Sequence, residues 1–335
     1  MIAETTQTFV GPSAAQKAWM DLGYGMFIHF GPNTFTNQGW GDGKFPASSF
    51  EPTKLDVAQW AGVAAEAGMK YAVLTTKHHD GFCLWPSEHT AYSVANSPRR
   101  QDIVGMYIEE FRKAGLKPGL YYSLWDLNYP QYENDEVYAH YMRDQITELL
   151  TNYGPIVEMW FDGGWDKDHP TKMCWWEEEW LNDPNSGYTP GDRWGWKELY
   201  ELIHSLQPDC LVLNNSSSDR PGAVRYHPID ARTAEHFNFV FRDEIRYPNY
   251  NEIWTNDDGE QKFLPLEFCA SLALQWFWQG TGGEMHPSVA TICDWHNTAR
   301  SNNANLLLNV GPDVTGRVPE YNSHFLRAAR RLGNF

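Results

Sequence analysis

Eight short apolar runs, most of them followed by a stretch with helical spacing, recur along 335 residues with no break in composition. That alternation, in about the length one barrel needs, predicts an α/β fold. The expected form is a single-domain, TIM-like (β/α)8 barrel covering residues 1–335. A doubly wound open sheet is the competitor, but its usual glycine fingerprint is missing.

The elements follow in order. Tyr24–Gly31 is the first strand, and a polar, glycine-rich loop at 32–55 comes after it. Asp56–Met69 is amphipathic and ends near Gly68, and Tyr71–Thr76 is the second strand. A helix at Val104–Ala114, stopped by Gly115, leads to the third strand, Gly119–Trp125, and then to a long helix at Asp135–Tyr153. Val157–Phe161 is the fourth strand, with Gly154-Pro155 before it and Asp162-Gly163-Gly164 after it. A loop at 163–196 then carries six tryptophans among acidic residues and prolines; insertions of that length in a compact domain usually serve function. Lys197–Leu206 returns to helix. Strands are expected at Cys210–Asn214, Arg232–His236, Leu272–Trp278 and Asn305–Val310, with helices at Val289–Arg300 and Pro319–Leu332.

Composition narrows the function classes. The formal net charge of −17 argues against nucleic acid or an anionic membrane as partner, since both require a basic surface. No run of 18 apolar residues exists to span a bilayer. Met1 to Lys17 lacks the apolar core of a secretory signal, so the chain as given reads as cytoplasmic, or as secreted or periplasmic if a leader was removed. The five cysteines are scattered without a CxxC pair, which suits reduced, buried thiols. Sixteen Trp, 17 Tyr and 17 Phe offer flat faces for core packing and for stacking on sugar rings.

Polar residues gather at the expected carboxyl ends of the strands, where such barrels do their chemistry. They are His29; His78 and His79; Tyr121 and Tyr122; Asp162; Asn214 and Asn215; Glu235 and His236; Trp276 and Trp278; and Asn309. Alternation puts Trp160 and Asp162 on one face of the fourth strand and Val157, Met159 and Phe161 on the other. An Asp there also serves as a turn residue or helix cap, and the segment alone leaves both roles open. Neutral donors, aromatics and few charges are what a neutral polyol needs, because each hydroxyl must find a partner. A hydrolytic metal centre built on His29, His78, His79 and Asp162 is disfavoured. Adjacent histidines on a strand point to opposite faces, and no HxH or HExxH spacing exists. No metal and no organic cofactor are expected.

Five motifs carry a resemblance: GMFIHFGP at 25–32, KHHDGFCLWPS at 77–87, LYYS at 120–123, WFDG at 160–163 and NLLLNVGP at 305–312. Together they resemble the α-L-fucosidases of glycoside hydrolase family 29 over residues 20 to 335, the catalytic barrel, without that family's common C-terminal β-sandwich. KHHDGF and LLLNVGP are specific; WFDG alone is not. The resemblance implies a retaining, exo-acting enzyme that releases terminal α-linked L-fucose from an oligosaccharide or glycoconjugate. It implies Asp162 as nucleophile and sugar contacts from His29, His78, His79, Trp160, Tyr122 and Trp40, with Trp276 as an apolar wall under the sugar's methyl group. The acid/base matches Glu235 through DARTAE, with Asp230 as the alternative; Arg220 matches a substrate-contacting Arg at a longer spacing. Glu267 is a rival carboxylate that should sit at the bottom of the barrel.

Where many relatives have Glu-Trp in the first loop, this chain has Gly39-Trp40, and Asp42 is the nearby carboxylate. A retaining glycosidase on a related, galactose-like pyranose and an inactive sugar-binding relative are the alternatives. Linkage preference and oligomeric state, a homo-oligomer included, stay open.

Overall fold

The computed structural model describes residues 10–164, 191–215, 224, 226–235, 252–256, 259–280, 287–333 and 335. Eight parallel strands close into a barrel: β1 (Tyr24–Ile28), β2 (Tyr71–Lys77), β3 (Lys117–Ser123), β4 (Glu158–Asp162), β5 (Leu211–Asn214), β6 (Ala231–Glu235), β9 (Leu266–Ser271) and β10 (Asn305–Asn309). β10 pairs with β1 to complete the ring. The two remaining strands, β7 (Ile253–Thr255) and β8 (Gln261–Phe263), form an antiparallel hairpin outside it. The expected (β/α)8 architecture is present.

Helices flank the barrel where the spacing predicts them. They are α3 (Val57–Glu66), α4 (Ile103–Lys113), α5 (Asp135–Asn152), α6 (Trp196–Leu206), α7 (Val289–Ser301) and α8 (Glu320–Gly333), with short α1 (Ala14–Met20) and α2 (Pro32–Thr36) before them. Side-chain caps fix several starts: Asp56, Asp102, Asn134 and Ser288 each accept a hydrogen bond from a first-turn backbone N–H. Most of the long loop at 163–196 lies outside the described residues.

Strand alternation divides the interior from the outer shell. Phe27, Tyr71, Val73, Tyr121, Trp160, Leu211, Leu213, Ala231, Cys269 and Leu307 pack together inside the barrel. Met26, Leu74, Leu120, Tyr122, Met159, Phe161, Val212, Phe268 and Leu308 face the helices. Two glycines make room for large interior side chains. A Cβ on Gly25 would lie 2.6 Å from the Tyr71 ring, and one on Gly119 would lie 2.8 Å from Glu158 Cγ.

The seventh barrel strand is not where the apolar run suggests. It is Leu266–Ser271, and residues 272–278 form the loop after it. The buried Glu267 interrupts the apolar pattern of the true strand, while the aromatic residues after it imitate one. The hairpin β7–β8 also escapes the sequence reading, although Asp258-Gly259 is a turn signal.

Helix α1, also absent from that reading, closes the amino end of the barrel. Its Ser13 and Gln16 form a reciprocal capping box, and Trp19 joins the interior cluster with its indole N–H donated to Glu158. Gln16 Nε2 donates to the carbonyls of Asp230 and Phe263, and Asn305 Nδ2 to that of Trp19. The four described cysteines are free thiols. No helix among the described residues is long and apolar enough to cross a membrane.

Candidate active site

The site is built at the carboxyl rim around the end of β4. Asp162 is the last residue of that strand, on the inner face with Trp160 one layer below. Its Oδ2 accepts a hydrogen bond from Tyr121 OH at 2.8 Å, and its Oδ1 accepts one from Asn215 Nδ2 at 3.2 Å. The same Asn215 nitrogen donates to Glu235 Oε2 at 2.6 Å. Two oxygens bonded to one nitrogen at 3.2 and 2.6 Å can stand no more than about 6 Å from each other.

The two carboxyls differ in what holds their protons. Burial raises Asp162 above the ordinary carboxylate range, and three bonds to its ionised form, from Tyr121, the Gly163 N–H and Asn215, work against that rise. Glu235 is pushed up to about 8 by burial and then by the Asp162 charge, with bonds from Asn215 and Trp276 opposing. Near neutral pH one group is set to be the anion and the other to keep its proton.

Three histidines surround the pair, and burial keeps all of them neutral. His29 falls to about 3, and His78 and His79 lie well below the ordinary imidazole value. Their partners fix the tautomers. Asn309 Nδ2 donates to Ser271 Oγ and to the Trp276 carbonyl, so Asn309 Oδ1 faces His29 Nδ1 at 2.8 Å and that nitrogen carries the hydrogen. Ser123 Oγ donates to the Trp125 carbonyl, so His79 Nδ1, 2.7 Å from Ser123 Oγ, is also the donor. His79 Nε2 is then an acceptor 3.6 Å from Asp162 Oδ2. Asn33 Nδ2 lies 3.3 Å from His78 Nδ1, which puts the His78 hydrogen on Nε2.

His78 and His79 both reach the site because β2 ends at Lys77, after a register shift against β3 between Thr75 and Lys77. Their rings lie 3.9 Å apart, and His78 stacks on Tyr121. Among the described residues, no group of three or more His, Cys, Asp and Glu side chains is arranged to hold a metal ion.

The other expected contacts divide. Trp160 is buried inside the barrel, stacked on Tyr121 at 5.6 Å, with its Nε1 donated to Glu267 Oε1 at 2.9 Å. Trp276 lies in the loop after β9 rather than on a strand, with its ring 5.2 Å from His29. Trp40 is half-buried in the loop after β1 and packs on the outer core. At Gly39 that loop meets the one carrying Trp276, since a Cβ there would stand 3.6 Å from Gln275 Oε1. Asp42 is exposed, and its Oδ1 accepts from the Lys44 N–H. Arg220 and His236 lie outside the described residues.

Two expectations need correction. Tyr122 does not line the barrel mouth. It points outward, donates to Gln145 Oε1 at 2.7 Å and lies under Lys77 Nζ. Alternation makes Tyr121 the inward residue, level with Trp160 across the β3–β4 pairing. Asp230 does not approach Asp162. It precedes β6 at the amino end, where it accepts from Tyr200 OH, the Val212 N–H and His204 Nε2. Five residues of strand, roughly 16 Å, separate it from Glu235. Glu267 does sit at the bottom, but as the second residue of β9 rather than ahead of its strand.

Tyr121 and Asn215 are the site residues the sequence reading left without a role. Applying to β3 and β5 the alternation used for β4 would have found both.

A family model for alpha-L-fucosidase matches residues 43–332. The chain belongs to the alpha-L-fucosidase family. Alpha-L-fucosidase 1 of Arabidopsis thaliana is 33% identical over 332 residues, covering 96% of this chain and 60% of that protein. Among solved structures, a glycoside hydrolase 29 family member from an unknown rumen bacterium superposes with a TM-score of 0.78 at 32% identity, covering 96% of this chain and 56% of the other. Alpha-L-fucosidase isoenzyme 1 from Paenibacillus thiaminolyticus gives 0.74 at 29% identity, covering 96% and 75%. This fucosidase-family chain therefore spans little more than half the length of the first two relatives.

Proposed function

We propose that the chain is a retaining, exo-acting α-L-fucosidase that releases terminal α-linked L-fucose from oligosaccharides or glycoconjugates by double displacement. One observation carries the stereochemistry: Asp162 and Glu235 share a single amide donor, which keeps the oxygens it reaches within about 6 Å of each other. That spacing fits a carboxylate attacking the sugar directly, whereas an inverting pair, about 6.5–9.5 Å apart, leaves room for a water.

In the first step the Asp162 carboxylate attacks the anomeric carbon, and Glu235 gives its proton to the departing glycosidic oxygen. The ester removes the Asp162 charge, one of the two influences holding Glu235 up, so the Glu235 acidity rises as its role reverses. Glu235 then takes a proton from water, the water oxygen bonds to the anomeric carbon, and the ester bond to Asp162 breaks. The neutral His29, His78 and His79 supply the acceptors and the donor that sugar hydroxyls need, and Trp276 supplies the apolar wall.

A 2-fluoro fucosyl inhibitor with a good leaving group tests this reading. The expected result is one label per chain, on the peptide containing Asp162, together with loss of several orders of magnitude in turnover of an aryl α-L-fucoside in Asp162→Ala. A label on another peptide would overturn it.

A further inference from the structure

The amide of Asn215 faces both carboxyls of the site, and its surroundings fix which way round it stands. Asn215 follows β5, and its backbone N–H donates to the Phe161 carbonyl at 2.7 Å, one residue before Asp162. Its side chain is buried, with Nδ2 donating to Asp162 and to Glu235. Its Oδ1 lies 3.2 Å from Thr233 Oγ1 on β6, and that hydroxyl is also 3.2 Å from the Asn214 carbonyl. Both are acceptors, so the single hydroxyl hydrogen of the fully buried Thr233 is shared between them. Turned over, the amide would present its oxygen to the Asp162 carboxylate, acceptor against acceptor, in a low-dielectric site where that is costly.

We propose that Asn215 is a positioning residue that stabilises the negative charge on whichever carboxyl carries it, and that Thr233 holds it in the orientation to do so. The inference rests on the assignment of Asp162 and Glu235 as nucleophile and acid/base. In the resting pair the charge is on Asp162; in the ester intermediate it is on Glu235. One N–H of the same nitrogen meets the charge in each state, so the support passes from one carboxyl to the other with no movement of the protein. A preorganised donor that needs no rearrangement during a charge transfer is the cheapest kind of electrostatic support.

Among the described residues, the titratable groups facing this amide are Asp162 on β4 and Glu235 on β6. Tyr121 from β3 and His79 from the loop after β2 face Asp162, and both stay neutral over the working range. His29 and His78, from the loops after β1 and β2, are neutral as well; Trp276, Asn309 and Ser271, from the β9 and β10 side, do not titrate.

The test is the pH profile of kcat/KM on an aryl α-L-fucoside for wild type, Asn215→Leu and Thr233→Val, each also labelled with the 2-fluoro inhibitor. Asn215→Leu removes a donor from the ionised form of each carboxyl, so both limbs should move upward, by about one to two pH units. Thr233→Val keeps the side chain's shape and lets the amide turn over, so both limbs should move the same way by a smaller amount. Unchanged limbs in Thr233→Val, or in a folded Asn215→Leu whose kcat alone has fallen, would overturn the proposal while the Asp162 label left the mechanism standing. Absence of turnover in wild type, or a label elsewhere, would overturn the mechanism and this inference with it.

Discussion

Replacing Glu267 with Gln should flatten the pH dependence of stability, and the size of the change follows from the barrel floor. Glu267 is fully buried, with Oε2 accepting from Tyr71 OH at 2.5 Å and Oε1 from Trp160 Nε1 at 2.9 Å. Burial pushes its carboxyl up to about 8, against an ordinary value of 4.5. A raised value means that the folded chain keeps a proton the unfolded chain has already released. The contribution is therefore fully present below pH 4.5 and is lost as pH climbs through about 8. Between those limits the loss runs at about 1.4 kcal/mol per pH unit. With an unfolding entropy of about 2.1 cal/mol/K per residue, a chain of this length should lose about 2 °C of Tm per pH unit from this group alone. Thermal unfolding of wild type and Glu267→Gln between roughly pH 5.5 and 7.5 should thus give curves that converge or cross, the wild type falling about 4 °C further. Glu158, raised by burial and then by Glu267, remains in both proteins, and any easing of it in the variant adds in the same direction. Parallel curves would show that Glu267 is ionised in the folded state and that the floor is not sealed as described.

Two further outcomes concern the rim. Tyr121→Phe removes a donor to the Asp162 carboxylate, so the acid limb of kcat/KM should move upward by about one to two pH units. Tyr122→Phe loses only the bond to Gln145, so it should cost about 1 kcal/mol of stability and leave kcat unchanged; the reverse pattern would restore Tyr122 to the site. In wild type, kcat/KM should fall as pH rises through about 8, because the acid must be protonated and its carboxyl is held up there. An alkaline limb near pH 5 would exclude Glu235 as that acid.

The barrel was legible because most strands, the sixth and seventh apart, carry an apolar run, and because the parallel order follows from helices lying between strands. Its rim was legible wherever a strand ended on a polar residue. The failures share a cause. On β3 the adjacent Tyr121 and Tyr122 are chemically identical, and only counting back from the inward Gly119 separates them. Around β9 the true strand holds an acid that looks out of place until Tyr71 and Trp160 are known to face it. The position of Asp230, by contrast, was readable: it precedes the Arg232–His236 strand, so the rule that puts Glu267 at the bottom of the barrel puts Asp230 there too. Helix α1, at seven residues, is too short to show a periodic face.

The two ends of the barrel explain each other. Each holds a pair of carboxyls, fully buried Glu158 and Glu267 at the floor and half-buried Asp162 and Glu235 at the rim, and loss of water raises all four. The donors differ. At the floor Trp19, Tyr71 and Trp160 each serve one carboxyl, and Trp19 lies across the amino end, so the pair is sealed and held neutral. At the rim, donors to the charged form oppose burial at Asp162, and one amide spans both groups. The tryptophan under Asp162 links the ends. An indole N–H in the barrel interior needs an acceptor, or it costs about 1–3 kcal/mol. Glu267 is that acceptor, and the ring it fixes stacks on Tyr121, whose hydroxyl holds Asp162. A carboxyl at the bottom of the barrel thus follows from placing a tryptophan, rather than a phenylalanine, beneath the carboxylate at the top.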